Sequence, residues 1–267
     1  FVLEFGWGMK GAAYGTAIAQ GVIACILLSH FVRKQGTLEL SLKGIGLSKL
    51  PSILKIGTPT FFIEVTAAMT ILLFNYVLLH QFGENHIIAY GLTANIGVFA
   101  LFVMVGIAQA CQPIISFNHG ANQPSRIEAI FRLGLKSAIG SGLVFMVIVY
   151  LFAPQIAALY LGESSDLIAL SSTALTFFFF AVPLMGINLV IANLFQATAK
   201  PKQATLISLG RGFVFVALGI MILPKLFPEQ GIWASILFAE TVTAIFSLSM
   251  LRSYKKRFSG SLEKQAA

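Results

Sequence analysis

Charge is what this sequence has least of. Of its 267 residues only 10% are Asp, Glu, Lys or Arg, where a soluble domain carries about a quarter. Hydrophobic residues make up 57% and the mean hydropathy is +0.86, which excludes an ordinary water-soluble globule. Cysteine is nearly missing as well: Cys25 and Cys111 both fall inside apolar runs, so neither a disulfide framework nor a cysteine-based metal site is available. The four histidines, His30, His80, His86 and His119, show no i,i+4 pairing of the kind that places two ligands on one helix face. There is no HExxH, no Ser/His/Asp arrangement and no glycine-rich phosphate loop after a strand. Enzymatic chemistry, a cofactor and a bound metal are therefore not expected. The formal net charge of +8 would suit a nucleic-acid partner, but its distribution argues otherwise. The basic residues sit in short loops between apolar runs, where orientation in a lipid bilayer explains them.

What the chain has in abundance is long apolar runs. Seven can be drawn, over about 11–32, 55–80, 87–115, 133–153, 167–195, 205–223 and 231–251. Each is long enough as a helix, at about 1.5 Å per residue, to cross most or all of a hydrocarbon core about 30 Å thick. The expected class is an all-α membrane protein with seven transmembrane helices, and the polar stretch from 252 onward is expected to be disordered. Seven spans alternate sides, so each basic residue can be assigned to one. All 18 except Lys10 and Lys225 then fall on a single side, provided Lys136 and Arg211 reach back from the first turns of their spans. The excess of positive charge makes that side cytoplasmic. The chain starts at Phe1 rather than Met and reads as part of a longer protein.

Two acids remain within the spans, Glu64 and Glu240, both near mid-depth, where an unmatched charge costs several kcal/mol. Thr60, Glu64, Ala67, Ala68, Ile71 and Asn75 share one helical face, and Pro59 bends the chain close to the acid. No Lys or Arg is expected at the same depth, so the acids would be neutralised by exchangeable protons or cations. The alternatives are an acid hydrogen-bonded to a neighbouring helix for Glu64, and a protonated side chain packed against a Ser or Asn for Glu240. Tyr90, Asn95, Asn188 and Asn193 could line a polar path or act as interhelical glue. Phe99, Phe102 and the run 177–180 could touch an apolar cation, or could face lipid and core.

Four landmarks resemble a known family. The stretch GWGMKGAAYGTAIAQG (Gly6 to Gly21) is similar to the entry of the sixth helix of MATE-type multidrug and toxin extrusion transporters. QPIISFNHGANQPSRIEAIFR (Gln112 to Arg132), FQATAKPKQA (Phe195 to Ala204) and GIWASILFAET (Gly231 to Thr241) resemble that family's later landmarks in order and spacing. Family members have twelve helices in two six-helix lobes. The resemblance implies that 1–32 ends the first lobe, 33–55 is a cytoplasmic linker, 56–251 is the complete second lobe and 252–267 a cytoplasmic tail, the remaining N-terminal lobe of the same protein being absent. It further implies an antiporter of the plasma membrane, in bacteria the inner membrane, exporting amphiphilic or cationic compounds against inward protons or sodium by alternating access. Glu64 falls at the acid of the seventh helix and Glu240 at an acidic position of the twelfth. The span from Leu167 to Gln196 departs from sodium-coupled members: it lacks their second carboxylate and has Met185 or Asn188 near that place. A lipid-linked precursor flippase of the same wider superfamily is the alternative, one that would need a basic cavity.

Overall fold

The computed structural model describes residues 4, 6–33, 48, 50–51, 65, 68–162, 164–228 and 230–266, with side chains except at 32 and beyond 253. Among the described residues the secondary structure is entirely helical. The chain divides into two compact units, Phe1–Ile56 and Gly57–Ala267. The first holds α1, Gly8–Val32. The second holds α2 (Ala68–Phe82), α3 (Glu84–Gly120), α4 (Pro124–Leu161), α5 (Ser165–Ala197), α6 (Pro201–Leu226) and α7 (Gly231–Ala266). Six of the seven are long and apolar enough to cross a membrane, and α2 is a shorter apolar helix as far as it is described. Most of the expected linker 33–55, together with Thr60 and Glu64, lies outside the described residues.

The breaks between helices follow from backbone chemistry. Gly83, at φ 91°, turns α2 into α3, and Gly162, at φ 68°, ends α4; both angles favour a residue without Cβ. Pro124 and Pro201 open α4 and α6, where a missing N–H costs nothing because the first turn has no acceptor for it. Two expectations about boundaries change. The basic stretch before the fourth span is the first turns of α4 itself, so α3 and α4 are 37 and 38 residues long and project beyond the hydrocarbon. The tail expected to be disordered continues α7 as helix to Ala266.

α5 is the centre of the second unit and packs against α3, α4, α6 and α7. Its residues Leu175, Val182, Asn188 and Ile191 are fully buried. One apolar cluster joins α3, α4 and α5 around Met104, Ala138 and Phe179. A second joins α2, α3, α6 and α7 around Phe74, Leu78, Ile220 and Trp233. Lipid is as apolar as these side chains, so close packing rather than exclusion of water holds helices together here. Gly142 shows how close: a Cβ there would stand 2.7 Å from Pro183 Cα and 3.0 Å from Pro183 N. Backbone atoms cannot rotate aside. Gly142→Ala is therefore expected to cost about 1–3 kcal/mol, read as a lower unfolding midpoint in detergent. Gly97→Ala is expected to cost less, because the atoms its Cβ would meet belong to the Phe178 ring, which can turn.

Candidate functional site

The one buried acid among the described residues, Glu240, is the tenth residue of α7, about 14 Å along the helix from Gly231. It is 3% exposed. Three elements converge on it. Arg211 of α6 donates from Nη2 at 2.7 Å and from Nε at 3.0 Å, both to Oε1. Asn188 of α5 donates from Nδ2 to Oε2 at 2.7 Å and to the Glu240 carbonyl at 3.0 Å. The Ser247 hydroxyl, two turns further along α7, donates to Asn188 Oδ1 at 2.9 Å. Both carboxylate oxygens are thus occupied, and Asn188 and Ser247 are completely buried. An ion pair taken out of water gains only if its remaining polar atoms are satisfied, and on the carboxylate side this network meets that condition.

Arg211 lies within a local irregularity of α6. Gly210–Val214 forms a π turn between the α-helical halves Pro201–Leu209 and Phe215–Leu226. The wider turn re-aims the side chains that follow it and releases carbonyls from the regular ladder. Thr70 of α2 donates through Oγ1 to the carbonyl of Gly212, so a neighbouring helix takes up that acceptor. Gly210 is small for a reason: a Cβ there would meet the Phe215 ring at 2.9 Å. Further along, Gly219 lets α6 approach α7 so closely that a Cβ would lie 3.1 Å from Ser235 Cα. These contacts set the spacing across which Arg211 and Glu240 meet. Thr70→Val keeps the shape and removes the donor. It is expected to cost about 1 kcal/mol, measured as a lowered thermal midpoint.

The expectation that Glu240 has no basic partner at its depth is therefore corrected. Arg211 is the eleventh residue of a helix that begins at Pro201, four residues before the expected start. Ten residues of rise place it about 15 Å in, half of the hydrocarbon thickness. Arg211 consequently does not return to the cytoplasmic surface. Of the polar residues expected along a path, Asn188 joins the site and the others do not. Asn193 is half-buried and donates to the Leu189 carbonyl of its own helix at 3.2 Å. Asn95 is exposed and donates to the Gly91 carbonyl at 2.8 Å. Tyr90 stacks on Phe74 with ring centres 4.9 Å apart, and Asn75 is half-buried on α2. Phe99 and Phe102 are exposed on α3, whereas Phe179 belongs to the core. Among the described residues no cluster of His, Cys, Asp or Glu could hold a metal ion.

The family model described as MatE matches residues 59–222, more than half of the chain. The chain belongs to the MatE family. The match takes in Thr70, Asn188 and Arg211 and stops before Glu240 and Ser247. Across the MatE fold the curated relatives include the Multidrug export protein MepA of Staphylococcus haemolyticus, 27% identical over 260 residues, which covers 96% of this chain and 57% of that protein. MepA of Staphylococcus saprophyticus is 25% identical over the same coverage. The chain thus spans little more than half the length of the curated relatives it matches. Solved structures with the MatE fold include an outward-facing multidrug resistance MATE transporter, with a TM-score of 0.81 at 21% identity, covering 96% of this chain and 59% of that one. A MOP superfamily transporter from Pyrococcus furiosus, described as having a binding pocket of reversed polarity, gives 0.81 at 22% identity, covering 95% and 58%. The chain is a multi-pass membrane protein of a transporter family, as the landmarks in its sequence imply.

Proposed function

We propose that this chain is one lobe, with one further helix, of a secondary efflux transporter that exports amphiphilic or cationic small molecules in exchange for protons or sodium. The observation that carries the reading is the MatE match over 59–222, in a chain similar over 96% of its length to proteins named for multidrug export. The geometry adds a physical reason for rigid-body motion. Arg211, Glu240 and Asn188 tie α6, α7 and α5 together, and the packing of α5 on α3 and α4 extends that unit. Alternating access by rocking needs a lobe that moves as one body. The charge of Glu240 is matched inside the lobe, so Glu64, at mid-depth by its place in the sequence, is the coupling acid of this reading. A lipid-linked precursor flippase is disfavoured because the positive charge of Arg211 is cancelled by Glu240.

The test is substrate export by the intact protein in proteoliposomes under an imposed proton or sodium gradient. A cationic dye is expected to leave the vesicles only when the gradient is present, and gradient-independent movement would refute the coupling. The 267-residue chain alone is expected to export nothing, since one lobe cannot enclose a site. The orientation we propose, in a bacterial plasma membrane with the C-terminus cytoplasmic, has its own check. In a background carrying Cys25→Ser and Cys111→Ser, Ser164→Cys is expected to react with an impermeant thiol reagent in intact cells. Ser125→Cys is expected to be protected there, and the reverse pattern would invert the topology.

A further inference from the structure

Glu240 has the features of a cation site. It is a carboxylate at mid-depth, its side chain is 4% exposed, and Asn188 fixes both its Oε2 and its backbone carbonyl. That site already has an occupant. The Arg211 guanidinium lies against Oε1 through two nitrogens and is the more open member of the pair at 17%.

We propose that Arg211 is a tethered cation filling the Glu240 site, so that this carboxylate takes no free cation in the native protein, and that truncating the arginine converts the Glu240–Asn188–Ser247 cluster into a binding site for a small planar cation, guanidinium above all. The proposal rests on the transporter reading only in leaving ion coupling to Glu64.

Three features carry it. The first is charge: with Arg211 in place the pair is neutral, and a second cation would bring an unmatched charge into a medium that penalises it. The second is the cradle. Asn188 and Ser247 hold the carboxylate from α5 and α7. The π turn is fastened to α2 through Thr70 and the Gly212 carbonyl, a contact that does not involve the arginine side chain. Shortening Arg211 therefore removes the cation and leaves its surroundings. The third is selectivity. Oε1 takes two N–H groups of the arginine, at 2.7 and 3.0 Å, and is the carboxylate oxygen left without a donor when the arginine is shortened, while Oε2 keeps its bond from Asn188. Sodium seeks a shell of several oxygens, whereas a guanidinium needs an acceptor for its N–H fork.

The test is thermal unfolding of the intact protein in detergent, titrated with low-millimolar guanidinium chloride or sodium chloride against choline chloride at constant ionic strength. A ligand that binds the folded state alone raises the midpoint saturably. The Arg211→Ala variant is expected to unfold several degrees below wild type and to recover most of that loss with guanidinium, far less with sodium. Arg211→Ala combined with Glu240→Gln is expected to show no recovery. An Arg211→Ala protein that does not respond, or a double variant that responds equally, overturns the proposal. A second arm needs no arginine variant. Any saturable sodium response of the wild type is expected to survive Glu240→Gln, and its loss in that variant also overturns the proposal. If that response is lost in Glu64→Gln instead, the coupling assignment stands; inactive proteoliposomes would count against the transport reading while leaving the cation titrations to decide this one.

Discussion

Arg211→Ala and Glu240→Ala are each expected to destabilise the protein by about 3–5 kcal/mol, because each leaves a buried charge without its partner. The two losses will not add. Removing both charges in favour of apolar side chains of similar volume, Arg211→Met with Glu240→Leu, is expected to bring stability back to within about 1–2 kcal/mol of the wild type, since the desolvation cost of both ions disappears together. The coupling between positions 211 and 240 should therefore be several kcal/mol, far above the few tenths seen for independent sites. Reversible unfolding in mixed micelles, followed through Trp233 emission, measures it. Trp233 is buried beside His86 at a ring distance of 5.8 Å and belongs to the same cluster as Ile220 and Ala239, so it reports on α6 and α7. Additive losses would mean that the pair is open to water and worth little, as surface ion pairs are.

Glu64→Gln is expected to remove ion-coupled efflux from the intact protein while leaving its expression and folding unchanged. The physical basis is the depth of Glu64 in its run. A carboxylate there must be neutralised by a proton or a cation, and binding or releasing that ion shifts the balance between lobe orientations. Glutamine keeps the size and most of the hydrogen bonding but holds the neutral state permanently. Glu240→Gln, by contrast, is expected to lower stability more than transport per folded molecule, because it leaves Arg211 unmatched. Gradient-driven export from proteoliposomes, normalised to folded protein, separates the two. Wild-type export by Glu64→Gln would place the coupling outside this lobe.

The membrane class, the helix count and the family were all legible without coordinates. A 10% charged fraction cannot clothe a soluble surface, and backbone polar groups in lipid must be satisfied within a helix, so long apolar runs have little choice of structure. Glu240 also stood out by its depth alone. Its partner did not. Locating Arg211 required the true start of α6, at Pro201, and a four-residue shift moves a side chain about 6 Å along the axis. The π turn at Gly210–Val214 left no periodic signal, because Arg211 within it is followed by an unbroken apolar stretch, Phe213 to Leu223, in which no polar face can be traced. The two asparagines of α5 pose the same difficulty. Asn188 and Asn193 are five residues apart and so face directions about 140° different, yet α5 has no polar face to orient it by.

Hydrophobicity and the positions of Gly, Pro and the charged residues thus determined, unaided, that this chain spans a membrane as a bundle of helices, because those properties depend on composition along a line, and its MATE-type character was carried by the resemblance of four landmark stretches. Which buried acid is already paired, with which arginine, and which asparagine completes the network was decided by tertiary packing alone. Those contacts join α5, α6 and α7 across gaps of 29 to 59 residues in the chain, and they exist only where small residues such as Gly219 let the backbones come close enough for side chains to meet.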